Sequence, residues 1–212
     1  MNYRFFKRAL DTLFSLIALL IFAPVMVLIG MIIKFDSRGP VLYKGLRAGQ
    51  GGSEFKMYKF RSMVVNAENL GGYSTALNDP RLTRIGRFLR KFKLDELPQL
   101  LNVINGDMSL VGPRPQVFFY TDRYNKQELL ILSVRPGITD LASLFFYDMD
   151  SVLGSKNVDA RYLNEIEPQK NRLRLRYVEH MSLFLDIKIL IATLCKVIGI
   201  KRFFGLKDYL IG

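Results

Sequence analysis

Between Leu13 and Ile33 the chain reads LFSLIALLIFAPVMVLIGMII, with no charged side chain. At ~1.5 Å of rise per residue, a helix over this run is about as long as the hydrocarbon core of a bilayer is thick, so a membrane is implied. Pro24 falls near its middle, where it cannot donate to the carbonyl of Leu20 and crowds that turn, which predicts a kink or break. Arg4, Lys7 and Arg8 precede the run, and Lys34, Arg38, Lys44 and Arg47 follow it. Basic flanks favour the cytoplasmic side, and here both ends carry them. A hairpin-like helix that enters one leaflet, bends at Pro24 and returns meets both observations, each half reaching roughly 16 Å. The alternatives are a straight single-span anchor with a tolerated proline, and a cleaved signal peptide. The second is disfavoured by the length of the run and the lack of a small-x-small cleavage site.

Charge narrows the partners. With 31 Lys and Arg against 19 Asp and Glu, the formal net charge is +12, so the partner is anionic: nucleic acid, a lipid surface or phosphorylated small molecules. No nucleic-acid-binding module is recognisable, so no nucleic-acid partner is expected. Part of the charge serves docking to anionic membrane lipids. A single cysteine, Cys195, precludes an internal disulfide and reads as a small buried hydrophobe, because the lone histidine, His180, makes no dyad with it.

The remainder reads as one domain. PVLYK and EFKMYKFRSM are strand-like, with Gly49, Gly51, Gly52 and Ser53 as their turn. NAENLGGYSTALNDP reads as a loop tipped by Gly71 and Gly72. RLTRIGRFLRKF places Leu82, Ile85, Leu89 and Phe92 at helical spacing, and LDELPQLLNVI continues as a second helix with Leu94, Leu97, Leu101 and Ile104 as its apolar stripe. Pro98 is tolerable only in a first turn, which puts Asp95 and Glu96 at the N-terminus of that helix. MSLVGPRPQV and ILSVRPGIT each read as a chain entering a rigid proline loop, the first as a short strand. From Asp148 to Pro168 the pattern suggests a long loop or lid, and SLFLDIKILIATLCKVIGI reads as an amphipathic or partly buried helix ahead of an interfacial tail.

The acidic pair is the chemical signal. Adjacent residues point about 100° apart within a helix, but at its N-terminus both can approach one site. The helix dipole and nearby guanidinium groups are expected to keep Asp95 ionised, suited to holding a hard cation such as Mg²⁺ or to attacking phosphorus. A helix cap with surface ion pairs to Arg90 or Lys91 is the bland reading. Arg114 and Arg135 each adjoin proline, and Lys59 and Arg61 alternate along one strand, so pre-placed cations suited to a diphosphate accompany the pair.

NDPRLTRIGRFLRK, LDELPQLLNVINGDMSLVGPRP and VRPGIT, in that order behind YKFRSM and an apolar N-terminal segment, resemble the bacterial sugar transferase family, the monotopic polyprenyl-phosphate phosphoglycosyl transferases, in minimal catalytic form. The resemblance implies that Asp95 is the nucleophile. It would attack the sugar-linked phosphorus of a UDP-sugar, UMP would leave, and the phosphosugar would be held covalently until a polyprenyl phosphate, undecaprenyl phosphate in bacteria, accepts it. Mg²⁺ is the implied cofactor, with Asp95 on the metal. Glu96 would support the metal site or proton transfer, and Lys59, Arg61, Arg90, Arg114 and Arg135 would be phosphate ligands. Two departures stand out: the kink is Ala23-Pro24 where relatives break at Ser-Pro, and RPGIT is followed by Asp140 where many relatives continue with glycine. The second departure means that no particular sugar carries over.

These readings give an α+β fold: a mostly helical membrane-associated domain with a small β-hairpin or sheet and a re-entrant N-terminal membrane helix. The membrane helix is expected over residues 1–36 and the catalytic domain over 37–212, at the cytoplasmic face of the inner membrane. A homodimer is left open. The rival readings are a nucleotide-sugar glycosyltransferase using Asp148 and Asp150, and a non-enzymatic membrane scaffold.

Overall fold

The computed structural model describes residues 3–70, 79–146 and 161–200, apart from the side chains of residues 68 and 69. Asp148, Asp150, the Gly71-Gly72 tip and the tail from Lys201 lie outside them. Helix α1 spans Tyr3–Asp36 and carries Pro24 inside it without interruption. Of the kink or break expected at Pro24, the break is absent, and a kink is compatible with the continuous helix: proline removes one N–H donor, but its fixed φ is helical and the turn continues.

Lys7, Asp11 and Ser15, then Ile29 and Ile33, are the buried positions of α1, and they share one face. Between them Leu20, Ile21, Val25, Val27 and Leu28 are exposed. Both ends are nevertheless fixed to the same body. Near the start, Arg8 donates to the carbonyls of Val103 and Ile104, and Asp11 accepts from the Ser109 hydroxyl at 2.6 Å. Near the end, Ile29 and Ile33 share a core with Phe60 and Leu89. Packing thus continues across residue 36.

Strands β1 (Leu42–Ala48) and β2 (Glu54–Phe60) form the expected antiparallel hairpin, Leu42 facing Phe60 and Ala48 facing Glu54. Gly51 and Gly52 supply the positive φ of its turn, 69° and 78°. Helix α2 (Arg84–Lys91) starts at Thr83, whose hydroxyl accepts from the Gly86 N–H at 3.0 Å.

The next helix departs from the expectation. Leu94–Glu96 is a separate 3₁₀ turn, entered through Lys93 in the left-handed region (φ 56°), and α3 (Gln99–Asn105) begins only after Pro98. Its most buried side is Gln99, Leu100, Asn102 and Val103, while of the predicted stripe Leu94 and Leu97, ahead of α3, pack partly buried against the core of Ile33 and Phe60. The reason is polar: the Asn102 amide accepts from the Tyr58 N–H at 2.9 Å and donates to the Lys56 carbonyl at 2.8 Å, extending the edge of β2. This bond sets the hairpin against the acidic turn.

Strands β3 (Ser109–Val111) and β4 (Gly137–Thr139) pair in parallel, so the two proline loops come together. A Cβ on Gly137 would lie 2.1 Å from the Gly112 nitrogen, which restricts the crossing to glycine. Helices α4 (Phe118–Thr121), α5 (Leu141–Phe145), α6 (Glu167–Glu179) and α7 (Leu183–Val197) complete the body, with a π-helical turn over Tyr162–Ile166 leading into α6. The described part of the expected lid is thus helical. On α7, Leu185, Asp186, Ile189 and Ala192 are buried while Phe184, Ile187, Ile191 and Leu194 are exposed, the amphipathic helix that its sequence predicts. Asp186 accepts from Tyr3, Lys7 and Tyr177 at 2.7 to 2.8 Å, tying α7 to the start of α1.

Candidate active site

The 3₁₀ turn points the two carboxylates into different company. Glu96 is held by a cationic pair: Lys59, near the end of β2, donates to Oε1 at 3.0 Å, and Arg114, in the loop after β3, donates to Oε2 at 3.1 Å and also to Oε1. Asp95 is more deeply buried, at 4 % exposure, and its Oδ1 has no hydrogen-bond partner. One carboxylate is locked and its neighbour is left available.

Electrostatics separate them further. Burial works against the ionised form of Glu96, but Arg114 and Lys59 outweigh it and hold the group far below the usual carboxylate range. Burial likewise dominates at Asp95 and pushes its carboxyl up, with Lys59 opposing and Glu96 adding to the rise. The expected depression of the Asp95 pKa is thus reversed. A 3₁₀ turn ahead of Pro98 lacks the dipole of a full helix, and the Arg114 guanidinium is engaged by Glu96.

Of the predicted cations, Lys59 and Arg114 meet the acidic pair, and Arg90 stands close enough to favour the ionised form of Asp95 while donating to Ser62 at 3.0 Å. Arg61 and Arg135 are elsewhere. Arg61 lies just past β2 and donates to the carbonyls of Ser37 and Arg38, closing the exit from α1. Arg135 donates from Nε to the Gly106 carbonyl at 2.9 Å, at the opposite end of α3.

No group of three or more His, Cys, Asp or Glu is arranged for a metal among the described residues. Mg²⁺ characteristically binds one or two carboxylates and completes its shell with water and substrate phosphates. Asp95 Oδ1 fits that role, whereas both oxygens of Glu96 are engaged.

The bacterial sugar transferase family profile matches residues 2–199. The chain belongs to the bacterial sugar transferase family. It is 37% identical over 196 residues to the UDP-N-acetylgalactosamine-undecaprenyl-phosphate N-acetylgalactosaminephosphotransferase of Aeromonas hydrophila, covering 91% of this chain and 43% of that protein. It is 35% identical to the UDP-glucose:undecaprenyl-phosphate glucose-1-phosphate transferase of Escherichia coli (strain K12), over 91% of this chain and 40% of that protein. To the exopolysaccharide production protein PSS of Rhizobium leguminosarum bv. phaseoli it is 39% identical, over 88% of this chain and 92% of the relative. The chain thus spans less than half the length of the first two.

In this member of the family a further layer stands behind Arg114. Asp140, fully buried, caps α5 by accepting from the Ser143 N–H at 2.6 Å, and accepts from the Arg114 N–H at 3.0 Å. Arg174 of α6, 1 % exposed, lies 3.8 Å from Asp140 and donates to Glu167 at 2.8 Å and Asn171 at 2.6 Å. Sequence reasoning missed this layer. The cap signal of Asp140 with Ser143 three residues later was present, but KNRLRLR carries no mark that one of its arginines is buried.

Proposed function

We propose that this chain transfers a sugar 1-phosphate from a UDP-sugar to a polyprenyl phosphate, undecaprenyl phosphate by analogy with the relatives' named substrates, and releases UMP. The observation that carries this reading is the buried, unpartnered oxygen of Asp95 beside a fully engaged Glu96. An ionised Asp95 attacks the sugar-linked phosphorus, the bond to the UMP oxygen breaks, and an aspartyl phosphosugar forms. An oxygen of the polyprenyl phosphate then attacks the same phosphorus and frees Asp95. Arg114 and Lys59 face the charge that develops, and Glu96 holds them at the site, so its role is positioning. Asp95 Oδ1 would hold Mg²⁺, which would supply charge that favours the ionised carboxylate. The test is UMP release by the detergent-solubilised protein across a panel of UDP-sugars, with and without polyprenyl phosphate. A donor that yields UMP supports the reading, and silence across the panel with both substrates present contradicts it.

Anchoring of both ends of α1 to one body supports a monotopic arrangement, with both flanks on the cytoplasmic side and the exposed middle entering one leaflet by a bend at Pro24. The exposed apolar face of α7 lies at the bilayer surface in this arrangement. Arg4→Cys and Lys44→Cys, each in a Cys195→Ala background, should label from the same side of the membrane. Labelling from opposite sides would establish a crossing.

A further inference from the structure

Helix α6 turns a polar face inward, and one cation on that face lacks a counter-ion among the described residues. Glu167 is committed to Arg174, and Asp140 to the backbone of Arg114 and Ser143. Lys170, one turn before Arg174 on the same face, has no carboxylate within ion-pair distance among the described residues. Its ammonium lies instead 5.0 Å from the ring centroid of Tyr162 and 5.7 Å from that of Phe146. Aromatic faces attract a cation but replace neither its water nor a counter-ion. Lys170 as a whole residue is partly exposed.

We propose that Lys170 is a further substrate-binding residue of the transferase, its ammonium taking a phosphate oxygen of the nucleotide diphosphate beside Arg114. This rests on the phosphoglycosyl-transfer reading. Two observations place Lys170 on the Arg114 side of the molecule. Phe146, beneath the ammonium, ends the helix that Asp140 caps, and Asp140 accepts from the Arg114 N–H. Arg174, one turn on from Lys170, lies 3.8 Å from the same Asp140. Burial, then Arg174, pushes the Lys170 pKa down to about 7, with Asp140 and Glu167 opposing and Arg114 adding to the fall. Tyr162 is the other titratable group against it. A neutral amine accepts a proton when a phosphate arrives, so binding is linked to proton uptake.

The sign of the stability effect follows. A lysine depressed to about 7 binds fewer protons folded than unfolded between that value and its ordinary one of 10.5, so its burden on folding is full below about 7 and declines as pH rises across that window. Lys170→Met should therefore raise the Tm at neutral pH while weakening substrate binding.

The experiment is calorimetry of UDP binding to the purified full chain, with Mg²⁺, in buffers of different ionisation enthalpy. At about pH 8 the wild type should take up close to one proton per site, and less at about pH 6, where the amine is already charged. Lys170→Met should bind UDP roughly tenfold to a hundredfold more weakly with the uptake lost. Lys170→Arg should restore affinity without uptake, which a merely structural lysine would not do. If Lys170→Met keeps both affinity and uptake, the proposal is wrong. If that variant binds UDP normally but requires more polyprenyl phosphate for turnover, the phosphate is the acceptor's and the donor assignment falls. If the wild type binds no UDP at all, the donor reading itself fails and the proposal with it.

Discussion

The two ends of α3 contain the same chemical ingredients in opposite arrangements. At the entry, carboxylates meet Lys59 and Arg114, and one carboxylate oxygen is left without a partner. At the exit, Arg8 and Arg135 donate to the backbone carbonyls of Val103, Ile104 and Gly106. Arginines at the exit meet the orphan acceptors that every helix C-terminus presents, so their work is finished in the fold itself. The entry is unfinished, because a buried acceptor without a donor is destabilising unless a ligand meets it. Arg114 and Arg135 both precede proline, yet only Arg114 meets the acidic pair.

The largest effect is expected from Asp95→Asn, which should abolish transfer, since an amide neither attacks phosphorus well nor holds Mg²⁺. It should not unfold the protein. A carboxyl raised by burial is a burden that grows as pH rises from the unfolded value through the folded one, so the amide should leave the Tm at neutral pH unchanged or higher. For the same reason, UMP release by the wild type should fall on acidification with a midpoint above the ordinary Asp value of about 3.9. A flat profile down to that value would show that ionisation of Asp95 is not required.

Arg114→Ala comes next. It leaves Glu96 buried with Lys59 alone, and breaking such a pair costs about 3 to 5 kcal/mol when it is fully buried, the lower end applying to this partly exposed arginine. Turnover should fall at least about tenfold to a hundredfold from the lost charge-assisted contacts. Arg135→Ala loses one cap, about 0.5 to 1.5 kcal/mol of stability, and turnover should stay within about twofold. Equal kinetic losses in the two purified variants would erase the contrast between the ends and return Arg135 to the site.

The smallest effect on soluble readouts is expected from Pro24→Leu, because the surroundings of that residue are exposed and the helix already runs through it. Its effect belongs to topology. Restoring the hydrogen bond should straighten the segment toward a full span, read by labelling at Lys44. Unchanged labelling would show that the anchored ends, not the proline, set the arrangement.

The parts legible in the sequence are those where local chemistry decides. Gly51 and Gly52 mark the hairpin because few other residues take positive φ, and Lys59, Asp95 and Arg114 stand in motifs whose spacing fixes their neighbourhood. Long-range polar partners were not legible. Arg61 and Arg135 look like ligands in sequence and are spent on carbonyls, whereas Arg174 and Lys170 look like a solvated face and point inward. Charge patterns show that a cation is present and not which acceptor the fold brings to it. The acidic pair is expected at the head of α3 and stands instead in a separate 3₁₀ turn, set off from α2 by Lys93 in the left-handed region and from α3 by Pro98, and its electrostatics are the reverse of the expectation because Arg114 goes to Glu96.

The central claim is covalent, and intact-protein mass spectrometry addresses it directly. Wild-type protein given a productive UDP-sugar and Mg²⁺, but no polyprenyl phosphate, should release up to one UMP per site and gain the mass of one phosphosugar, which peptide mapping should place on Asp95. Addition of polyprenyl phosphate should discharge it. An unmodified protein under those conditions, with UMP appearing only when both substrates are bound, would contradict the aspartyl intermediate and leave Asp95 as a metal ligand.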